Sequence, residues 1–255
     1  MEKIIQVDHL TKAYGSRFNQ NKILDNLSFS VEKGEFVGIM GPSGAGKTTL
    51  MNLLATITLP TLGSITIADE VITKMTEDER SRFRRNKIGF IFQDFNLLET
   101  LNVQDNISLP LAIERLAPKE IEIRVKEVTK MLGIGHLLQR YPNELSIGQK
   151  QRVAASRAIV KQPKVVFADE PTGSLDSKAA TELLNYLVEI NEAQATTILM
   201  VTHDPFTASY CDRILFLKDG VFFSEVVRRG NRKEFFDQVI DMQATIGGGG
   251  RMNAR

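Results

Sequence analysis

An α/β fold with a mixed, largely parallel sheet is what this 255-residue chain predicts, and three of its features carry the prediction. Phe36-Val37-Gly38-Ile39-Met40 is an apolar run that feeds directly into the loop Gly41-Pro42-Ser43-Gly44-Ala45-Gly46-Lys47-Thr48, and Thr48 to Leu54 then has helical spacing. Val165 to Ala168 and Thr197 to Val201 are continuously apolar, as strands are in a parallel sheet covered on both faces. Lys178 to Asn191 between them has helical periodicity and completes a β-α-β unit. The third feature is a mostly helical stretch from about 95 to 160, with breaks expected at Pro110, Pro118, Gly133 and Pro142.

The remaining elements follow in chain order. Ile4 to Val7 and Leu27 to Val31 read as strands, with Gly34 turning into the Phe36 run. Gly63 to Val71 is strand-like again, and the charged stretch Glu77 to Lys87 precedes the apolar Ile88-Gly89-Phe90-Ile91-Phe92-Gln93. Lys233 to Ala244 should form a short amphipathic helix with Phe235, Phe236, Val239 and Ile240 inward, and Gly247 to Gly250 should be flexible.

Composition removes several function classes. A net charge of +1 argues against a broad nucleic-acid-binding surface. The cluster Arg80, Arg82, Arg84, Arg85 and Lys87 lies beside Glu77, Asp78 and Glu79 and reads as a solvated face. Cys211 is alone, which excludes an intramolecular disulfide and suits a reducing cytoplasm. The segment Met1 to Asp8 has no apolar core of a secretory leader, and nowhere do about 18 apolar residues run together. Any membrane work would need spanning helices from another subunit.

The glycine loop has the chemistry of a phosphate cradle. Backbone N–H groups converge on phosphate oxygens only where side chains leave room, hence Gly41, Gly44 and Gly46. The following helix adds its positive N-terminal dipole. Lys47 offers a full charge to the β- and γ-phosphates, and the Thr48 hydroxyl is placed for Mg²⁺. Asp169 ends an apolar strand, where it would face the crevice at the sheet's carboxyl edge and bind Mg²⁺. Glu170, next in line, is a candidate general base. In Leu145-Ser146-Ile147-Gly148-Gln149, Ser146 is placed to cap a helix running toward Ile159.

Taken together, the glycine loop, Leu145-Ser146-Ile147-Gly148-Gln149 and Asp169-Glu170-Pro171-Thr172-Gly173-Ser174-Leu175-Asp176 make the stretch from about Val7 to Gly220 resemble an ATP-binding cassette (ABC) nucleotide-binding domain. That resemblance implies an ABC ATPase fold: a P-loop core, an N-terminal antiparallel β subdomain and an inserted helical subdomain. The expected boundaries are 1–222 for the nucleotide-binding domain, with its helical part at about 95–160, and 223–255 for a C-terminal extension.

The resemblance also implies roles for individual residues. Tyr14 stacks on adenine; Pro42, Ser43, Ala45 and Thr49 line the phosphate site with the glycines, Lys47 and Thr48. Gln93 senses Mg²⁺ and the attacking water and links to the membrane partner; His203 contacts the γ-phosphate. Ser174-Leu175-Asp176 crosses a dimer interface. Ser146, Gly148 and Gln149 complete the nucleotide site of the opposite chain, so the pattern implies a homodimer holding ATP and Mg²⁺. Ile147 departs from the pattern by replacing a glycine. A β-branched residue avoids positive φ, so Ile147 should be helical or extended, and slower hydrolysis is expected.

More narrowly, Gly89 to Leu98, Thr202-His203-Asp204-Pro205, Ala208-Ser209-Tyr210 and Phe235-Phe236 resemble the bacitracin-export branch of the macrolide-export and lipoprotein-release group. This implies an ATPase at the cytoplasmic face of the membrane that powers a separate permease. A non-transporting ABC ATPase acting mechanically on a membrane partner remains the other reading. A GTPase is disfavoured because Asn86-Lys87-Ile88-Gly89 does not complete a guanine motif.

Overall fold

A computed structural model of the chain describes residues 2–16 and 19–247. Of the expected flexible run Gly247 to Gly250, residues 248–250 lie outside that range. Two sheets organise the molecule. The first is antiparallel, in the order β2-β1-β4-β5, from β1 (Lys3–Ser16), β2 (Asn19–Glu32), β4 (Leu62–Ile67) and β5 (Glu70–Val71). This is the N-terminal antiparallel subdomain, with strands longer than the apolar cores of its sequence suggested.

The second sheet comprises β3 (Phe36–Met40), β6 (Ile88–Ile91), β7 (Val165–Asp169), β8 (Thr197–Val201), β9 (Arg213–Lys218) and β10 (Val221–Val227), in the order β10-β9-β3-β8-β7-β6. Pairing is parallel from β9 to β6, and β10 is an antiparallel edge. Every side chain of β3 and β8 is buried. Alternation along the strands divides these side chains between two cores: Phe36, Val166, Ala168, Ile198 and Met200 face one, while Val37, Phe167, Leu199 and Val201 face the other. Burial on both faces is why these runs are continuously apolar.

Eight helices are described: α1 (Lys47–Leu54), α2 (Glu77–Lys87), α3 (Val103–Ile113), α4 (Pro118–Met131), α5 (Ile147–Ile159), α6 (Ser177–Gln194), α7 (Pro205–Ala208) and α8 (Arg232–Ile246). Pro118 opens α4, where its missing N–H costs nothing. Pro110, expected to break the chain, lies inside α3 instead. Here tertiary anchoring outweighs the lost backbone bond: Val103, Ile107 and Leu111 are buried, and the buried Asn106 amide donates to the carbonyls of Leu98, Leu101 and Asn102. In α8, Phe235 and Val239 are buried as expected, but Ile240 is 40% exposed. Arg82 and Arg85 are exposed, as a solvated face requires. Arg80 and Arg84 turn inward to donate to the carbonyls of Met75 and Thr56, at 2.9 and 2.7 Å.

The contact between β6 and α5 depends on one missing side chain. A Cβ on Gly89 would stand 2.5 Å from the Ala158 carbonyl oxygen and 3.0 Å from Pro163 Cγ. Gly89→Ala should therefore destabilise the protein by about 1–3 kcal/mol, read as a lower midpoint in urea unfolding. An unchanged midpoint would mean that α5 can lift away from β6 without cost.

Candidate functional site

Four parallel strands deliver their next residues to one edge of the sheet. The glycine loop follows β3, Gln93 follows β6, Glu170 follows β7 and His203 follows β8. Loops leaving the carboxyl ends of adjacent parallel strands form the crevice in which such sheets bind ligands.

The loop Gly41 to Gly46 is held by close approach on two sides. A Cβ on Gly41 would meet the Leu217 carbonyl oxygen at 2.0 Å. Gly46 has φ 100°, and a Cβ there would meet Leu24 Cδ2 at 2.6 Å. No other residue fits either position, so the loop's curvature and the start of α1 are set by their glycines. Lys47 folds back over the loop, its Nζ donating to the carbonyls of Gly41 at 2.7 Å and Pro42 at 2.9 Å. Partial burial pulls its pKa down, while the nearby Glu170 and Asp169 carboxylates push it up. Thr48 is exposed at the first turn of α1 and Thr49 is half-buried beside it.

Asp169 is partly buried, and that desolvation raises its carboxyl pKa; Glu170 adds to the rise and Lys47 opposes it. Glu170 has left-handed backbone at φ 47°, unusual for a non-glycine residue, and its N–H donates to the Val201 carbonyl at 2.9 Å. Glu170 Oε1 lies 2.9 Å from Nδ1 of His203, whose side chain is 70% exposed. Gln93 is exposed, and its amide nitrogen lies 3.4 Å from where a Cβ on Gly173 would stand. Lys47, Asp169, Glu170, His203 and Gln93 therefore border one crevice.

Tyr14 reaches this region through its hairpin. It is 49% exposed and pairs with Asn21, two residues before Ile23, whose carbonyl oxygen lies 3.0 Å from a Cβ placed on Gly46. Lys12 Nζ sits 4.8 Å from the centre of its ring. The other expected group stands elsewhere. Ser146 caps α5: its hydroxyl accepts from Gln149 N–H at 3.3 Å, and Gln149 Oε1 accepts from Ser146 N–H at 2.9 Å. α5 packs on α3, α4, α6 and β6, whereas α1 packs on β2, β7 and β8. No described hydrogen bond joins Ser146, Gly148 or Gln149 to the glycine loop of the same chain. Ile147 is helical, as expected, and 52% exposed. Asp176 caps α6 by accepting from Ala179 N–H at 2.9 Å.

Two residues of α5 make contacts that the sequence does not announce. Gln151 is fully buried and donates to the carbonyls of Phe92, at 3.2 Å, and Pro171, at 2.8 Å. Arg157 donates to the carbonyls of Asn96, at 2.7 Å, and Phe95, at 2.9 Å, both left-handed residues. A polar residue in the apolar register of a helix was the available signal.

Comparison with known proteins gives the family and the fold. The family described as ABC transporter matches residues 24–173. The bacitracin export ATP-binding protein BceA of Halalkalibacterium halodurans is 46% identical over 96% of this chain and 97% of its own. The macrolide export ATP-binding/permease protein MacB of Campylobacter jejuni is 44% identical over 81% of this chain but 32% of its own length. Among solved structures, the dimeric post-hydrolysis form of the ATP-binding cassette MJ0796, bound to ADP and phosphate, superposes with a TM-score of 0.82 at 37% identity, covering 89% of this chain and all of that one. The chain belongs to the ABC transporter family, as one of its ATP-binding subunits.

Proposed function

We propose that two copies of the chain hydrolyse ATP at shared sites on the cytoplasmic face of a membrane, driving a separate permease in export of, or resistance to, bacitracin-like peptide antibiotics. The observation that carries the chemistry is the Glu170–His203 contact beside Lys47, at the carboxyl edge of the sheet. Glu170 accepts a proton from water as the water oxygen attacks the γ-phosphorus; the bond to the bridging oxygen breaks and ADP leaves. Lys47 and the loop amides meet the charge on the phosphate oxygens. Lys47 exchanges its two carbonyl contacts for phosphate when nucleotide enters. His203 holds Glu170 on one side and reaches the γ-phosphate on the other. Tyr14 presents its open ring to adenine.

Sharing of the site rests on the exposed end of α5. The capping box there is closed by Ser146 and Gln149, which leaves the amides of Ile147 and Gly148 without intrahelical partners. Such a helix end binds anions, and a second chain's nucleotide supplies one. The dimeric ADP- and phosphate-bound relative supports this. For the permease, the support is that no helix among the described residues is long and apolar enough to cross a membrane. The macrolide relative names both an ATP-binding and a permease part, and the chain spans only a third of it. The nucleotide-binding domain is then better drawn to Val227 than to 222, because a boundary at 222 would cut β10 where it pairs with β9; 95–160 is its helical part and the chain after Val227 an extension.

The donor set fits Mg²⁺ held jointly with phosphate. Among the described residues no group of three His, Cys, Asp or Glu side chains could hold a metal alone. Yet the Asp169 carboxyl is partly buried beside Glu170 and gains from a neighbouring cation. Thr48, Asp169 and Gln93 would hold the ion, whose chemistry is to neutralise charge on the β- and γ-phosphate oxygens.

Three outcomes test this reading. Glu170→Gln should bind ATP with near-normal affinity, lose at least about a hundredfold in turnover and accumulate as a dimer in sedimentation; retained hydrolysis would assign the base elsewhere. For Asp169, the folded carboxyl keeps its proton to higher pH than the unfolded one, so ionisation works against the fold. Asp169→Asn should therefore raise the thermal midpoint of the nucleotide-free protein while abolishing Mg²⁺-dependent hydrolysis. Ile147→Gly should raise turnover severalfold at unchanged KM, and identical turnover would show that the bulk at this helix end does not crowd the facing nucleotide.

A further inference from the structure

α8 crosses the molecule next to the loop that carries His203. At its start, the Arg232 guanidinium stacks 4.2 Å from the ring centre of Tyr210 and 5.7 Å from that of Phe206, two aromatics at and just beyond α7. At its end, Ile246 is buried and its carbonyl accepts from Lys218 Nζ at 3.0 Å. Phe235 and Val239 bury between these points in the core shared with β3 and β8. The helix is thus fixed at both ends and along one face. From its exposed side, Gln243 Nε2 donates to the backbone carbonyl of His203 at 3.1 Å.

That contact matters because nothing packs the imidazole in place. His203 is 70% exposed at its side chain, so the ring's direction is set by its backbone. The neighbours are locked: Asp204 N–H donates to Thr202 Oγ1, and the Asp204 carboxylate accepts from the N–H groups of Phe206 and Thr207. The peptide that joins His203 to Asp204 is thus held at both ends, its N–H by Thr202 Oγ1 and its carbonyl, on the His203 side, by Gln243. Fixing that plane fixes the Cα–Cβ direction, and with it the approach of Nδ1 to Glu170 Oε1. We infer that Gln243 is a positioning residue for ATP hydrolysis, through which the C-terminal helix α8 sets the Glu170–His203 contact. The inference rests on the proposed role of His203 in turnover. Gln243 acts on the histidine loop, through the backbone carbonyl of His203. Any force that moves α8 would then change turnover without touching the nucleotide.

The test compares steady-state hydrolysis of Mg²⁺-ATP by the full chain carrying Gln243→Glu, which keeps the shape but loses the donor, and Gln243→Lys, which restores an N–H donor. Gln243→Glu should lower kcat about fivefold, the rate equivalent of one hydrogen bond, with KM for ATP and thermal midpoint unchanged. Gln243→Lys should stay close to wild type. In a His203→Ala background, Gln243→Glu should cause no further loss. Wild-type kcat in Gln243→Glu, equal losses in both variants, or an added loss in the His203→Ala background would each overturn the positioning role while leaving that of His203 intact. Full hydrolysis by His203→Ala itself would overturn the role of His203, and this inference with it.

Discussion

The charge of Lys47 is the quantity on which the site depends. It is half-buried, which disfavours its ammonium, and it is kept charged by Asp169 and Glu170 across the crevice. Asp169 has the converse difficulty: it is desolvated beside a like charge, and Lys47 only partly relieves it. Neutralising Asp169 alone relieves its desolvation and leaves Glu170 facing Lys47, whereas losing both carboxylates would leave the ammonium uncompensated. The arrangement is therefore an electrostatic mismatch in which Lys47 borrows two carbonyls of its own loop. In the proposed function a phosphate would replace those weak acceptors with full negative charge, and a cation beside it would take up the carboxylate excess. Nucleotide binding would then be favoured by the charges on both sides of the crevice.

Much of this was legible in the sequence, for reasons that individual residues make clear. The β3–loop–α1 unit is local: an apolar strand, glycines where close approach forbids a Cβ, and a helix whose spacing starts at once. β7 and β8 were legible because burial on both faces leaves no polar position in the run. Tyr14 could have been a core tyrosine by pattern alone, and its exposure removes that option. What could not be read is set by packing between distant segments. Pro110 stays in a helix because Asn106 and three buried side chains hold it there. The left-handed backbone of Glu170, which aims its carboxylate, has no signature in the residue type. Gln243 meets His203 only because α8 folds back over α7, and no spacing rule connects positions forty residues apart.

The pair Ile147 and Gly148 shows how one motif carries two different constraints. At Gly148 a Cβ would stand 2.9 Å from Ala179 Cβ at the start of α6, so the glycine is needed inside this chain. Ile147 has helical backbone and is 52% exposed. A side chain there needs no positive φ, and its open half faces whatever docks on the helix end. The substitution thus falls at the one position of the two where its consequence is confined to the assembled site.

α5 gives that helix end its mechanical meaning. Its first turn carries Ser146 and Gln149, one turn further the buried Gln151 holds the carbonyls of Phe92 and Pro171, and Arg157 holds those of Phe95 and Asn96. These carbonyls flank Gln93 on both sides and immediately follow Glu170. Arg157 is partly buried, which lowers its pKa, and the two carbonyls it holds offset that desolvation. Moving α5 as a rigid body without these carbonyls would strand a buried amide and a partly desolvated guanidinium. The segments around Gln93 and Pro171 must therefore travel with the helix, and contact made at its exposed end is felt at the residues bordering the crevice.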